Sequence, residues 1–166
     1  MKMTSVNNEL VKETAKLLQR KYRKTHFLLE DIKDAGNLGT ILRTACAFDV
    51  DAVVLYGDTV DLYNPKCVRS SVGNLWKIPV FEMDDLSVFE DYERVATLPK
   101  SDNTVWLKDY TPQEKVLIMF GTESSGLSQK LKDFATKNVT IEMTDKVESL
   151  NLSISAGVIL YKLLYC

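Results

Sequence analysis

Five polar residues in three distant segments have the types and spacing to do chemistry together. Asn37 and Arg43 bracket Asn37-Leu-Gly-Thr-Ile-Leu-Arg43, Glu123 lies in Phe120-Gly-Thr-Glu-Ser-Ser-Gly126, and Ser149 and Asn151 close the stretch 141–153. An Arg just past a strand end can grip a phosphate through its planar fork, or be a surface cation. Glu123, directly after the run Val116–Phe120 and Gly121-Thr122, can accept a hydrogen bond from a ligand, pair with Arg43, or complement a helix N-terminus. Asn37 stands where a helix N-cap belongs, and capping alone accounts for it. Ser149, Asn151 and Ser153 precede an almost wholly apolar helix. One of them is its cap, and three are more than a cap needs.

Several chemistries are not indicated. There is no G-x-G-x-x-G and no G-x-x-x-x-G-K-[ST], so neither a dinucleotide loop nor a P-loop is present. His26 is the only histidine, which argues against a metal site or a His-based triad. What is left is positioning and electrostatics. Cys46, Cys67 and Cys166 are an odd, scattered set without metal or disulfide spacing, which leads to an expectation of a reducing cytoplasm. No run approaches the roughly 18 apolar residues of a membrane span. The net charge of −2 is unevenly spread: residues 1–30 hold seven Lys/Arg against Glu9, Glu13 and Glu30, a net of +4, so the remainder carries −6. A basic arm on an acidic body suits contact with phosphates, or is simply a solvated helix face.

The elements that must position these residues follow from periodicity. Residues 7–24 read as a helix, with Leu10, Val11, Leu17, Leu18 and Tyr22 near the three–four spacing. Strands are expected at 26–32, 52–56, 79–83, 94–98, 115–120 and 138–143, the second all apolar, as in a strand covered on both faces. Helices are expected at 38–48, at 64–76 behind Asn64-Pro65, along the acidic stretch 84–94, at 128–134 and at 152–165. Strands alternating with helices imply an α/β domain with a mostly parallel sheet, whose ligands collect at the carboxyl ends of the strands. The three segments fall at those ends. Their glycines permit tight turns or close approach to a ligand. The apolar last helix is core or an oligomer interface.

The ordered set of segments, together with Cys67-Val-Arg-Ser-Ser-Val-Gly-Asn-Leu75 between the first two, resembles the motifs of the SpoU (TrmH-like) RNA ribose 2′-O-methyltransferases, from about Asp31 to the C-terminus. The resemblance implies the SPOUT fold with a C-terminal trefoil knot, S-adenosylmethionine as cofactor, rRNA or tRNA as substrate, and a homodimer. It matches Asn37 and Arg43 to the first motif, Glu123 to the second, and Ser149 and Asn151 to the third, as the catalytic set. It matches Gly121, Ile141, Met143 and Leu150 to cofactor-holding positions, with Thr97 and Leu98 a looser match. The family's Asp-Pro-Gly is here Asp34-Ala35-Gly36, its Phe-Gly is Phe48-Asp49, and its Ile-Pro-Met is Ile141-Glu142-Met143. Residues 4–30 resemble only the opening of the RNA-binding domain that many relatives carry. The expected organisation is therefore a basic helical arm over 1–30, the remnant of that domain after an internal deletion, followed by a methyltransferase domain over 31–166. A catalytically inactive, knotted RNA- or cofactor-binding domain is the alternative expectation.

Overall fold

The computed structural model describes residues 25–165 together with the two-residue strand β1 (Lys2–Met3). The helix expected over 7–24 lies outside the described residues; of the arm expected over 1–30, Lys2–Met3 and Thr25–Glu30 are described, and both are strands of the sheet rather than helix. β1 joins β2 (Thr25–Glu30), β3 (Ala52–Tyr56), β4 (Val80–Met83), β5 (Glu93–Thr97), β6 (Val105–Trp106), β7 (Val116–Phe120) and β8 (Lys137–Thr140) in one sheet. Its order is β1-β4-β3-β2-β7-β5-β8-β6, and every strand pair is parallel. The helices are α1 (Ala35–Ala47), α2 (Pro65–Ser71), α3 (Gln129–Phe134) and α4 (Leu152–Tyr165).

The central strands explain why the sheet is sandwiched. Phe27, Leu29, Val53, Leu55, Ile118 and Phe120 point to one face, where they bury Leu38, Ile41 and Leu42 of α1, Cys67 of α2 and Ala156, Ile159 and Leu160 of α4. Leu28, Val54, Leu117 and Met119 point to the other, against Phe89, Tyr92, Leu127 and Leu131. His26 belongs to this second layer, buried and edge-on to Phe89 and Tyr92 at ring-centroid separations of 5.7 and 5.3 Å.

The strand expected over 138–143 ends at Thr140, the helix expected from residue 38 starts at Ala35 behind its Asp34 cap, and three further elements differ. The acidic stretch 84–94 is not an exposed helix. A single 3-10 turn, Ser87–Phe89, starts where Asp85 accepts from the Ser87 amide, and Phe89 and Tyr92 plug into the core as anchors. The helix expected over 64–76 stops at Ser71, because Val72 (φ 50°) and Gly73 (φ 76°) are left-handed, and a separate 3-10 turn follows at Asn74–Trp76. The first strand ends at Glu30 rather than at residue 32, where Asp31 takes φ 52°. Among the described residues, no helix is long and apolar enough to cross a membrane.

Candidate active site

β5, β7 and β8 are neighbours in the sheet, so the loops leaving their carboxyl ends share one stretch of its edge. Ala96 pairs with Met119 and Thr97 with Val139, so Leu98, Gly121 and Ile141 each follow closely on paired positions. The Leu98 amide donates to the Val139 carbonyl at 3.0 Å, and Thr97 Oγ1 donates to the Met119 carbonyl at 2.8 Å, binding the three strand ends together. Ile141 is half-buried and packs against the core. Gly121 is buried where its own loop folds back on it: Thr122 and Gly126 form an antiparallel bridge, and the Gly126 amide donates to the Thr122 carbonyl at 2.9 Å. Glu30, buried at the end of β2, holds the far end of that loop by accepting from the Ser128 amide at 2.7 Å.

The polar residues of the three segments meet at this edge. Asn37 Nδ2 donates to Glu123 Oε1 at 2.9 Å, and Asn151 Nδ2 donates to Asn37 Oδ1 at 3.0 Å. Asn151 Oδ1 in turn accepts from the Ser153 amide at 2.9 Å and from Ser153 Oγ at 2.6 Å. Asn151 is thus the residue that caps α4, and the cap is the last link of a hydrogen-bonded chain running from Glu123 through Asn37. Both ends of the Asn37 amide are engaged, so the Glu123 carboxylate is held by a side chain that cannot swing away without breaking two bonds.

Asn37 itself is not the cap of α1. That role belongs to Asp34, whose Oδ1 accepts from the Asn37 amide at 2.8 Å while its Oδ2 takes Lys66 Nζ at 2.8 Å. The Lys66 hydrogen bond, with the Asn37 amide second, holds the Asp34 carboxyl below its ordinary value. A depressed folded value means stabilisation that is present above the unfolded carboxyl's range and is lost as pH falls through the folded value. Asp34→Ala is expected to cost about 1 kcal/mol of stability at neutral pH. The cost should shrink on acidification; urea denaturation at neutral and acidic pH measures both. A loss equally large when the carboxyl is protonated would show that the cap is not what Asp34 contributes.

Two expected members stand outside the chain of hydrogen bonds. Arg43 is exposed on α1 and does not pair with Glu123, whose partner is Asn37. Six residues separate Arg43 from Asn37, which is about 9 Å along the helix axis and roughly a third of a turn around it. Ser149 is exposed on the loop before α4. That loop, 143–150, forms no hydrogen bond among those described. It leaves Met143 and Val147 exposed, 36% and 53% respectively, with Leu150 half-buried behind them. Such a segment offers free backbone donors and acceptors and apolar contact to a ligand at the ends of β5, β7 and β8. Glu142, the unexpected charge in this region, accepts from the Lys108 amide at 3.2 Å and lies 4.0 Å from Lys108 Nζ, so it is engaged beside β6. Asp34 and Glu30 were the positions that motif spacing passed over. An Asp three residues before Asn37 was the available signal for the first; the second carried none.

The cleft at the carboxyl ends of β3 and β4 is a separate place, lined by Asp58, Asp61, Glu82 and Asp84 among others. Among the described residues, no cluster of acidic, His or Cys side chains is arranged to hold a metal ion.

The SpoU rRNA Methylase family model matches residues 24–161. The chain is 38% identical over 141 residues to an uncharacterized tRNA/rRNA methyltransferase of Synechocystis sp., a match covering 81% of this chain and 51% of that protein. It is 31% identical over 139 residues to the 23S rRNA (guanosine(2553)-2'-O)-methyltransferase of Bacillus subtilis, covering 82% of this chain and 56% of the relative. The chain thus spans about half the length of these curated relatives. Among solved structures it is similar to the SpoU methyltransferase AviRb of Streptomyces viridochromogenes in complex with AdoMet. That likeness has a TM-score of 0.79 at 26% identity over 87% of this chain and 61% of that one. The AdoMet-bound rRNA methyltransferase of Sinorhizobium meliloti gives a TM-score of 0.78 at 28% identity over 88% and 58%.

Proposed function

The chain belongs to the SpoU rRNA Methylase family, and on that premise we propose that it transfers a methyl group from S-adenosylmethionine to a ribose 2′-hydroxyl of rRNA or tRNA. The observation that carries this reading is the chain Glu123–Asn37–Asn151, closed at 2.9 and 3.0 Å at the edge where β5, β7 and β8 end. A solved relative of the same fold holds AdoMet, and a curated relative is named as a 2'-O-methyltransferase.

The cofactor supplies an electrophilic methyl on a sulfonium. Thr97, Leu98, Gly121, Ile141, Met143 and Leu150 are the residues that would hold it, largely through backbone groups of the loops they open. A ribose hydroxyl is a poor nucleophile, and aligning it in line with the methyl supplies much of the acceleration. In this reading Glu123, held by Asn37, accepts a hydrogen bond from the sugar, and Asn151, linked through the same Asn37, and Ser149, from the loop before α4, complete the catalytic set. The planar, cationic guanidinium of Arg43 orients an RNA phosphate and stabilises the developing alkoxide. The trefoil knot belongs to the same reading. Its support is the likeness to the solved SpoU methyltransferase AviRb, at a TM-score of 0.79. The cytoplasm belongs to it as well, in keeping with Cys46 and Cys67 as free thiols.

The pairing of two copies is supported by α4. Ile154, Val158 and Tyr161 recur at four and three residues and are 55%, 38% and 58% exposed, an apolar stripe that a second copy would cover. Ile154→Asp with Val158→Asp is expected to weaken self-association at least about thirtyfold, the scale of losing a buried anchor. Light scattering should then record a single chain's mass. An unaltered mass would remove α4 from the interface. For the function itself, calorimetry with S-adenosylmethionine is expected to show one site per chain, and bulk RNA to accept methyl groups. Absence of both in a folded protein contradicts the reading.

A further inference from the structure

Tyr63 and Trp76 lie outside every element of the site above, yet they stack on one another at the surface. Their ring centroids are 5.6 Å apart, their planes 27° from parallel, and their exposures 57% and 66%. The local backbone turns Trp76 outward. Left-handed Val72 and Gly73 end α2, Asn74 Nδ2 ties back to the Ser71 carbonyl at 2.9 Å, and the 3-10 turn buries Leu75 while Trp76 faces water. Val72 is exposed in the same patch. Hydrophobic area left in water forgoes burial energy, and a contiguous patch of it marks a contact surface.

The surroundings carry both signs: exposed cations on the α2 and Trp76 side, and on the Tyr63 side Asp61, which also lines the cleft with Asp58, Glu82 and Asp84. Arg69, in the last turn of α2, and Lys77, next to Trp76, are exposed. Lys66 is exposed too but paired with Asp34, and Asp61 is the acidic neighbour, accepting from the Tyr63 amide at 2.9 Å. Along α1 and α2 in step, Gly36 abuts Lys66 and Gly39 abuts Cys67 and Ser70. Arg43 lies one helical turn beyond Gly39, and α1 also packs against the 3-10 turn that presents Trp76.

We propose that the Tyr63–Trp76 pair is a stacking platform for an unpaired base of the RNA substrate, with Arg69 and Lys77 meeting the phosphates on either side. The inference rests on the reading that RNA is the substrate. Aromatic faces accept any base, and neighbouring cations track the backbone, a combination suited to single-stranded RNA. It lies on the flank that leads to Arg43, so a strand held there has a path to the residue assigned to its phosphate. A second copy of the chain fits this surface poorly. A two-fold contact would bring Arg69 and Lys77 against their own copies, whereas the α4 stripe has no such charges among its exposed apolar residues.

The test uses the full chain carrying Trp106→Phe, so that Trp76 is the only tryptophan, and a fluorescein-labelled, unstructured 12-nucleotide RNA. Quenching of Trp76 emission on binding is expected. Trp76→Ala should raise Kd roughly tenfold or more and Trp76→Phe far less. Arg69→Ala with Lys77→Ala should lower the slope of log K against log salt by between one and two. S-adenosylmethionine affinity, measured by calorimetry, should be unchanged in all variants. A protein that methylates RNA but whose RNA affinity ignores Trp76→Ala overturns this inference and spares the functional reading. So does a Trp76→Ala protein that falls to a monomer with RNA affinity intact, since the patch is then a protein interface. A chain that neither binds the RNA nor transfers methyl overturns both.

Discussion

Arg43→Ala is expected to lower methyl transfer at saturating S-adenosylmethionine and RNA by about a hundredfold to a thousandfold, the scale of removing one preorganised charge-stabilising donor. Folding should be untouched, because Arg43 is exposed and packs no core residue. Cofactor affinity should be untouched as well, since Arg43 lies about 9 Å along α1 from Asn37 and makes no hydrogen bond to Glu123 or Asn151 among those described. Arg43→Lys separates its two assigned tasks. It keeps the charge but loses the two-pronged grip on phosphate, so it should recover only part of the rate. A defect confined to KM would make Arg43 a phosphate contact alone; one in kcat places it at the developing alkoxide. An unchanged rate in both variants contradicts its assignment.

Gly121→Ala is expected to be the most damaging change at the cofactor edge. A Cβ at this position would lie 2.0 Å from the Gly126 carbonyl carbon and 2.2 Å from the Leu127 amide nitrogen. Both are backbone atoms, so no side chain can swing away to make room. Overpacking of this kind costs about 3 kcal/mol or more, or on the order of 10 °C in melting temperature for a domain of this size. S-adenosylmethionine affinity should fall with it, because the displaced loop carries Glu123 and forms one wall of the proposed site. Gly126→Ala is the informative contrast. Nothing lies within 4 Å of its Cβ, and only its φ of 69° resists substitution. That strain is worth about 1–2 kcal/mol. Thermal melts in which the two variants lose equal stability would show that close approach at Gly121 is not the governing contact.

The parallel α/β sheet was legible because its central strands are buried on both faces and therefore read as continuous apolar runs, Ala52–Tyr56 and Val116–Phe120 above all. The elements misread were those decided by single residues. Phe89 and Tyr92 turn an acidic, helix-like stretch into a loop by anchoring it in the core, and composition does not reveal that they point inward. Gly73 was a visible stop signal for α2, but a left-handed Val72 before it was not, since a β-branched residue resists that conformation. β6 has only two residues and no periodicity to detect.

In the site, motif order brought Asn37, Glu123 and Asn151 to one place, and the hydrogen bonds among them could not be read from spacing at all. The cap of α1 was misplaced by three residues, because Asp34 and Asn37 are both good capping types and only geometry shows which side chain accepts. The possible Glu123–Arg43 pair failed on helical phase: residues six apart do not share a face.

The central claim is that the loops leaving β5, β7 and β8 present a donated methyl group to an RNA sugar oxygen. The direct measurement incubates the chain with RNA and methyl-labelled S-adenosylmethionine and then hydrolyses the RNA in alkali. A methylated 2′-oxygen cannot attack the neighbouring phosphodiester, so the predicted result is label retained in alkali-stable dinucleotides and lost in Arg43→Ala. Label released in mononucleotides, which marks methylation of a base, or no transfer by a folded chain that binds both substrates, contradicts it.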